Sequence, residues 1–330
     1  MKLYWSGIES PNIQRGNLDG TDMETVLQTP GGAVPDIAFD PIQRKMYWPS
    51  AEANGIQRSN YDGSDVETVI QTDDPWHVAI DATGGYAYWS EFIGAGSEIW
   101  RGKLDGSFKQ MLTTTQSHVT SLEADPEGGY YYWSEFIDGT IHRATLDNQQ
   151  ATVIHDRRSL GRTGLYRGIA IDSENDVLYA VDPLYSAIVR MELDGSNPEV
   201  FLTEGVVNPY AIVIDPYHDR VIWSNQARSP QFPLDTNISS INFDGTEQRI
   251  DFQPLGRFDT ISYVRHLALG PIEVPEPHAL ALIALVISSH LMRRSLQKCP
   301  TDSFAEDRLQ NFRRQSSFLS LATNVAHYVL

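Results

Sequence analysis

The sequence predicts an all-β fold: a six-bladed β-propeller closed by pairing of its N- and C-terminal strands and followed by a short hydrophobic C-terminal helix. Three observations predict it. Three short motifs recur six times in fixed order, the recurrence has the length of one propeller blade, and the chain starts and stops at complementary points of the repeat.

The first motif is an aromatic pair before a small polar residue: Tyr4 Trp5 Ser6, Tyr47 Trp48 Pro49, Tyr88 Trp89 Ser90 and Tyr132 Trp133 Ser134, with degenerate copies at Tyr179 Ala180 Val181 and Ile222 Trp223 Ser224. The second is Ile-x-Arg leading through an apolar residue into Asp-Gly, beginning at Ile13, Ile56, Ile99, Ile141, Ile188 and Ile238. Its arginine stands at 15, 58, 101, 143 and 190 and becomes Ser240 in the last copy. The third is a short apolar run that usually ends in Asp, as in Ile37 to Asp40 and Val78 to Asp81. The turn aspartates at 19, 62, 105, 147, 194 and 244 are 43, 43, 42, 47 and 50 residues apart, the length of a four-stranded blade.

Each motif reads as a strand. Asp-Gly supplies the positive φ that a tight hairpin needs, so the Arg strand turns back into an outer strand such as Glu24 to Gln28. Ile13 and Leu18 are five apart and point to opposite faces, so both faces are buried, as when a blade packs between two others. The apolar run does not alternate, which suits an innermost strand covered on both sides. The chain begins on an aromatic strand and ends its last repeat on an inner one, Leu267 to Leu269. Pairing these two closes the ring and leaves no sheet edge at the seam.

The domain expectation is therefore a propeller over 1–271, with blade 1 split between 1–28 and 263–270, then a hydrophobic segment at 272–294 and a flexible or loosely helical tail at 295–330. The three motifs in phase resemble the class B (YWTD) repeats of the low-density lipoprotein receptor family, over about residues 3–270. The resemblance implies structural roles for Trp5, Trp48, Trp89, Trp133 and Trp223. Where the family has Asp after the aromatic pair, this chain has Gly7, Ser50, Glu91, Glu135, Asp182 and Asn225, so the bonds made there are altered. WD40 repeats have a similar period, but their Gly-His and Trp-Asp signatures are missing.

Of 330 residues, 41% are apolar and 21% charged, which a folded protein needs, and the net charge is −18. The last 59 residues hold six basic and five acidic groups, so residues 1–271 carry 19 basic against 38 acidic, a balance of −19. Such a surface repels phosphate backbones and anionic head groups, so nucleic acid is not an expected partner, while cations or basic protein patches suit it. The charge also serves solubility. Cys299 is the sole cysteine, so no intramolecular disulfide forms.

Propellers gather loops on one face around a central channel, and function is sought there by analogy of fold. The loops before the inner strands and after the aromatic pairs supply the expected ligand-binding face: Asp36, Trp76, His77, Glu91, Phe92, Glu135, Phe136, Arg167, Tyr185, Tyr210, Arg265 and His266. Aromatic and Arg residues held rigidly on a ring are the types that anchor protein interfaces, although the same side chains also plug a channel mouth. His77 and His266 occupy equivalent positions, read as adjacent blades, with Asp36 beside them, and a metal site needs more ligands than these. No nucleophile motif or phosphate-binding glycine loop appears. The expectation is a non-catalytic, monomeric binding module without cofactor, presenting its loop face to a protein or cell-surface ligand. The competing reading is a metal-dependent lactonase or hydrolase of the six-bladed type, with three or more His, Asp, Glu or Asn side chains converging in the channel.

Residues 274–277 read Val-Pro-Glu-Pro, Ala279 to Met292 is apolar apart from Ser288, Ser289 and His290, and Arg293 and Arg294 follow. This segment resembles a bacterial PEP-CTERM sorting signal and implies an extracytoplasmic or cell-surface location, with membrane association through 279–292. The segment departs from the signal in being followed by 36 further residues. Its alternative is a helix packed on the propeller. No apolar run of signal-peptide length precedes the first strand, which leads to the expectation of a start upstream of Met1.

Overall fold

The structure, a computed structural model, describes residues 1–7, 10–29, 32–147, 151–161, 163–226, 237–252 and 264–270. The chain divides into two units, Met1–Ile272 and Glu273–Leu330. The hydrophobic segment and tail expected at 272–294 and 295–330 lie outside the described residues.

The first unit is a ring of six sheets, each of four strands ordered inner, aromatic, Arg and outer. Blade 1 takes its inner strand β24 (His266–Leu269) from the end of the repeats and β1 (Leu3–Gly7), β2 (Ser10–Gly16) and β3 (Glu24–Gln28) from the start. Leu3 pairs with Leu269 and Trp5 with Leu267, so the ring closes as the sequence predicts. The inner strands of blades 2 to 6 are β4 (Ala38–Asp40), β8 (Pro75–Asp81), β12 (Val119–Asp125), β16 (Ile169–Asp172) and β20 (Ile212–Asp215).

Six apolar clusters hold the ring, one between each pair of neighbouring blades. Adjacent residues of a strand face opposite ways, and the aromatic pair uses this. Tyr4 packs toward blade 2 while Trp5 packs toward blade 6, and Tyr88 packs toward blade 4 while Trp89 packs toward blade 2. The Ile of the second motif shares the tyrosine's face, as with Ile13 beside Tyr4 and Ile99 beside Tyr88. The apolar residue before Asp-Gly lies just past its strand rather than in it, yet reaches the other face as expected. Leu104, for example, packs between blades 2 and 3, whereas Ile99 packs between 3 and 4.

The arginine, two residues after the Ile, crosses to the next blade and donates to a backbone carbonyl beside that blade's hairpin. Arg15 reaches Tyr61 O at 3.1 Å, Arg58 reaches Leu104 O at 3.0 Å, and Arg101 reaches Leu146 O at 2.6 Å. Arg143 and Arg190 continue to Leu193 O and Phe243 O at 3.1 and 3.3 Å. Cross-strand carboxylates hold three of these guanidinium groups, as in Arg15 with Glu24 at 2.8 Å, Arg58 with Glu67 at 2.8 Å and Arg190 with Glu199 at 2.5 Å. In blade 6 both partners change: Ser240 replaces the arginine and Arg249 stands opposite it. Arg220 fills part of the gap, bonding Ser240 and Asn242 at 3.0 Å each, and a broad cavity of about 1120 Å³ lies there, with Leu18, Arg220, Phe243 and Arg249 in its wall.

Glycine in the hairpins is fixed by both conformation and space. Gly106 has φ 74°, and a Cβ there would sit 2.2 Å from Val69 O of the preceding blade.

The substitutions after the aromatic pair are compensated in every described blade. Where the residue is Glu91, Glu135 or Asn225, it accepts the indole N–H of Trp89, Trp133 or Trp223 at 2.8, 3.2 and 3.0 Å. Gly7 and Ser50 offer no such side chain. In those blades Trp5 and Trp48 donate instead to Gln14 and Gln57, at 2.9 and 3.1 Å. Each indole N–H is thereby satisfied where it is buried.

Trp89 is fully buried. Trp89→Ala is expected to cost about 3–5 kcal/mol and to lower the melting temperature by several degrees. A melting curve identical to that of the wild type contradicts its place between blades 2 and 3.

Candidate functional site at the channel mouth

Register places the expected residues in two stacked rings. Pro35, Trp76, Thr120, Arg167, Tyr210 and Arg265 stand one residue before Asp36, His77, Ser121, Gly168, Ala211 and His266, all at or near the start of the six inner strands. Backbone bonds to the aromatic strands clamp the upper ring: Arg167 N to Val181 O at 3.1 Å, Tyr210 N to Ser224 O at 3.1 Å, and Arg265 N to Ser6 O at 3.0 Å. In blades 3 and 4 the strand register slips by one residue at this level, and Trp76 and Thr120 are the extra residues. Bulges re-aim side chains in this way.

The mouth opens on a cavity of about 200 Å³, and its wall has two unlike halves. On blades 3 and 4, Trp76 stacks on Phe92 with centroids 4.7 Å apart, and Phe92 meets His118 at 4.5 Å. On blades 5, 6 and 1, the Tyr210 hydroxyl accepts hydrogen bonds from Arg167 at 3.1 Å and Arg265 at 2.6 Å. Both guanidinium groups also lie over the tyrosine ring, at 4.8 and 4.7 Å, and Arg167 reaches the Phe136 ring at 5.4 Å, joining the two halves.

Arg157 anchors the linker that carries Arg167. Its guanidinium is wholly buried, pairs with Asp182, donates to Leu165 O at 2.9 Å and lies between the rings of Tyr166 and Tyr185 at 5.2 and 5.4 Å. Asp182 is available for this because blade 5 has Ala180 where the other blades have Trp, and so has no indole to hold.

Below the rim, the structure corrects the expected position of the histidines. His77 and His266 are not in adjacent blades; they belong to blades 3 and 1 and flank Asp36 of blade 2. One Asp36 oxygen accepts from Ile37 N at 2.7 Å and His266 Nδ1 at 2.8 Å, and the other accepts from Val78 N at 3.1 Å and His77 Nδ1 at 3.2 Å. Burial alone would raise the Asp36 carboxyl, but His266 and His77 outweigh it and hold it well below the usual carboxylate range. His266 also meets Ile37 O through Nε2 at 3.0 Å, so both ring nitrogens face acceptors. Burial opposes its charge, and Asp36, followed by Glu123 and the Ile37 carbonyl, raises its pKa nonetheless. The imidazole Nε2 of His77 is buried without a hydrogen-bond partner.

Glu123 and His118 also line the cavity, and neither is among the expected residues. Glu123 occupies the inner-strand level held by Ala38, Ala79, Ala170, Val213 and Ala268 in the other blades, each paired with the aromatic-strand residue at one common position. It is half-buried, on the wall of the channel cavity. Burial, and then the Asp36 charge, push its carboxyl up to about 8, against a smaller opposing pull from His266.

Nine of the twelve expected residues thus gather at the mouth: Trp76, His77, Phe92, Phe136, Arg167, Tyr210, Arg265 and His266 on the cavity wall, with Asp36 bonded beneath. Glu91 and Glu135 are buried on the indole groups, and Tyr185 lies apart against Arg157. Among the described residues no three His, Cys, Asp or Glu side chains form a group able to hold a metal ion. In the Asp36 cluster both carboxylate oxygens and both ring nitrogens of His266 are engaged, and Nε2 of His77 is left over.

Fold and site define a six-bladed propeller with a half-aromatic, half-cationic channel mouth. No family model and no curated protein matches the chain. Solved structures do. The chain is similar to one in the crystal structure of the nidogen/laminin complex, with TM-score 0.67 and 19% identity over 82% of this chain and 99% of that one. It is also similar to TolB from Acinetobacter baumannii, with TM-score 0.60 and 14% identity over 82% and 67% of the two chains. A putative TolB from Agrobacterium tumefaciens gives TM-score 0.54 and 17% identity over 76% and 88%. At these identities the likeness establishes the propeller fold.

Glu123 also sets a pH dependence. Its folded pKa lies above that of the unfolded chain, so the native state binds the extra proton between pH 4.5 and about 8, and stability falls as pH rises through that window. Glu123→Gln is expected to abolish this loss, so urea midpoints of the variant and wild type diverge in the variant's favour between pH 5 and pH 8.5. A constant difference across that range contradicts the raised pKa.

Proposed function

We propose that the chain is a non-catalytic binding module that presents its channel mouth to a protein or cell-surface partner. The observation that carries this is the rim itself. Trp76, Phe92, Phe136, Arg167, Tyr210 and Arg265 are the residue types that dominate interface energetics, and they are fixed by backbone bonds and ring contacts around one cavity. The likeness to a chain of the nidogen/laminin complex supports a protein as partner.

The division of labour within each blade supports kinship with the class B repeats. Tyrosine and Ile-x-Arg grip the following blade, tryptophan the preceding one, and Asp-Gly turns the hairpin. The resemblance of 272–294 to a PEP-CTERM signal supports delivery to a bacterial cell surface, with 279–292 at the membrane.

Immobilised wild type, Trp76→Ala and Arg265→Gln proteins, compared on a surface-protein extract of the source organism, test the reading. A specific partner is expected on the wild type and absent from both variants, with their melting curves unchanged. The same captured set on all three, or hydrolysis of lactones accompanied by stoichiometric metal, overturns it.

A further inference from the structure

Among the described residues of this acidic chain Arg167 has no carboxylate partner, and unlike Arg101 and Arg143, which also lack one, its side chain donates to no backbone carbonyl. Arg15, Arg58, Arg157, Arg190, Arg220 and Arg249 each have a carboxylate within 4 Å. Among the described residues the side chain of Arg167 meets the Tyr210 hydroxyl and the faces of Tyr210 and Phe136. A phenol is a neutral acceptor, and ring faces are weak ones, so the strongest kind of guanidinium bond is left unmade. Across the same cavity stands the Trp76–Phe92 stack, and His77, also on the cavity wall, has its buried Nε2 without a partner among the described residues.

We propose that the mouth receives a ligand bearing one anionic group on a flat apolar body, the anion lying against Arg167 and the flat body against Trp76 and Phe92. This rests on the mouth being the binding site. A cation would meet Arg167, Arg265 and His266 together, and a wholly apolar ligand would strip water from Arg167 without replacing its bonds. The cavity of about 200 Å³ suits a group of side-chain size. Such a group comes either from a free aromatic acid or from neighbouring aromatic and acidic residues of a partner polypeptide.

Glu123 tunes the site from below. It faces Asp36 of blade 2 and His266 of blade 1, and it shares the cavity with His77, His118, Arg167 and Arg265. Neutral at pH 7, its carboxyl adds no charge against an anion and has a proton to donate. Above pH 8 it ionises and repels.

Calorimetric titration of the full chain with indole-3-acetate, its uncharged analogue indole-3-acetamide, and the peptide acetyl-Gly-Trp-Glu-Gly-amide tests the proposal. The acid is expected to bind at least about tenfold more tightly than the amide, the worth of one charge-assisted hydrogen bond. Arg167→Gln should reduce that preference to within about twofold, and Arg167→Lys should keep part of it. Wild-type affinity for the acid should fall between pH 7 and pH 9, and Glu123→Gln should flatten that fall. Binding of the peptide alone assigns the group to a polypeptide partner. Binding of the acid alone keeps the mouth chemistry but overturns the protein-partner reading. Equal binding of acid and amide, a preference untouched by Arg167→Gln, or no binding of acid or peptide at millimolar concentration overturns the proposal.

Discussion

The grip of each blade on the next is the interaction on which the rest of this structure depends. Tyrosine, isoleucine and arginine lie on one face of a blade because their spacings along paired strands put them there, and together they provide aromatic area, aliphatic filling and a charged donor. The arginine donates to a neighbour's backbone carbonyl, so the contact fixes angle as well as distance. Repeated around the ring, that angle sets where the six inner strands end. The rim residues stand at or shortly before the start of those strands, and their convergence follows from packing far out between the blades.

The blade plan was legible because its motifs are local and repeat in phase. The position of the rim was legible for the same reason, since any residue before an inner strand must face the mouth. What the side chains do there depends on contacts between blades. Glu91 and Glu135 look like exposed loop acids, but the tryptophan two residues earlier draws each carboxylate inward. Glu123 is hidden in sequence because it sits in an apolar run. Stacking the six inner strands isolates it at once, as one acid among alanines and a valine. The pairing of His77 and His266 through Asp36 required counting blades in the closed ring, where split blade 1 brings position 266 beside position 37.

Blade 5 shows how one lost residue is reused. Without its tryptophan, Asp182 turns to Arg157, and a buried ion pair of this kind contributes more to geometry than to net stability. Here it ties Leu165 and Tyr166 down between blades 4 and 5, next to Arg167 at the rim. The cation beside the cavity thus traces back to a degenerate repeat.

The missing arginine of blade 6 gives the ring a weak rung. Tyr210 and Arg265 stand on the two blades that meet at this seam, and a hydrogen bond and a cation–ring contact between their side chains span it at the mouth, with Ser224 donating to Val264 O beside them. The mouth is thus tied to the seam that lacks the repeat's arginine: the Tyr210–Arg265 contact at the rim joins the same two blades that the apolar cluster of Leu3, Trp5, Ile222 and Leu267 joins further out.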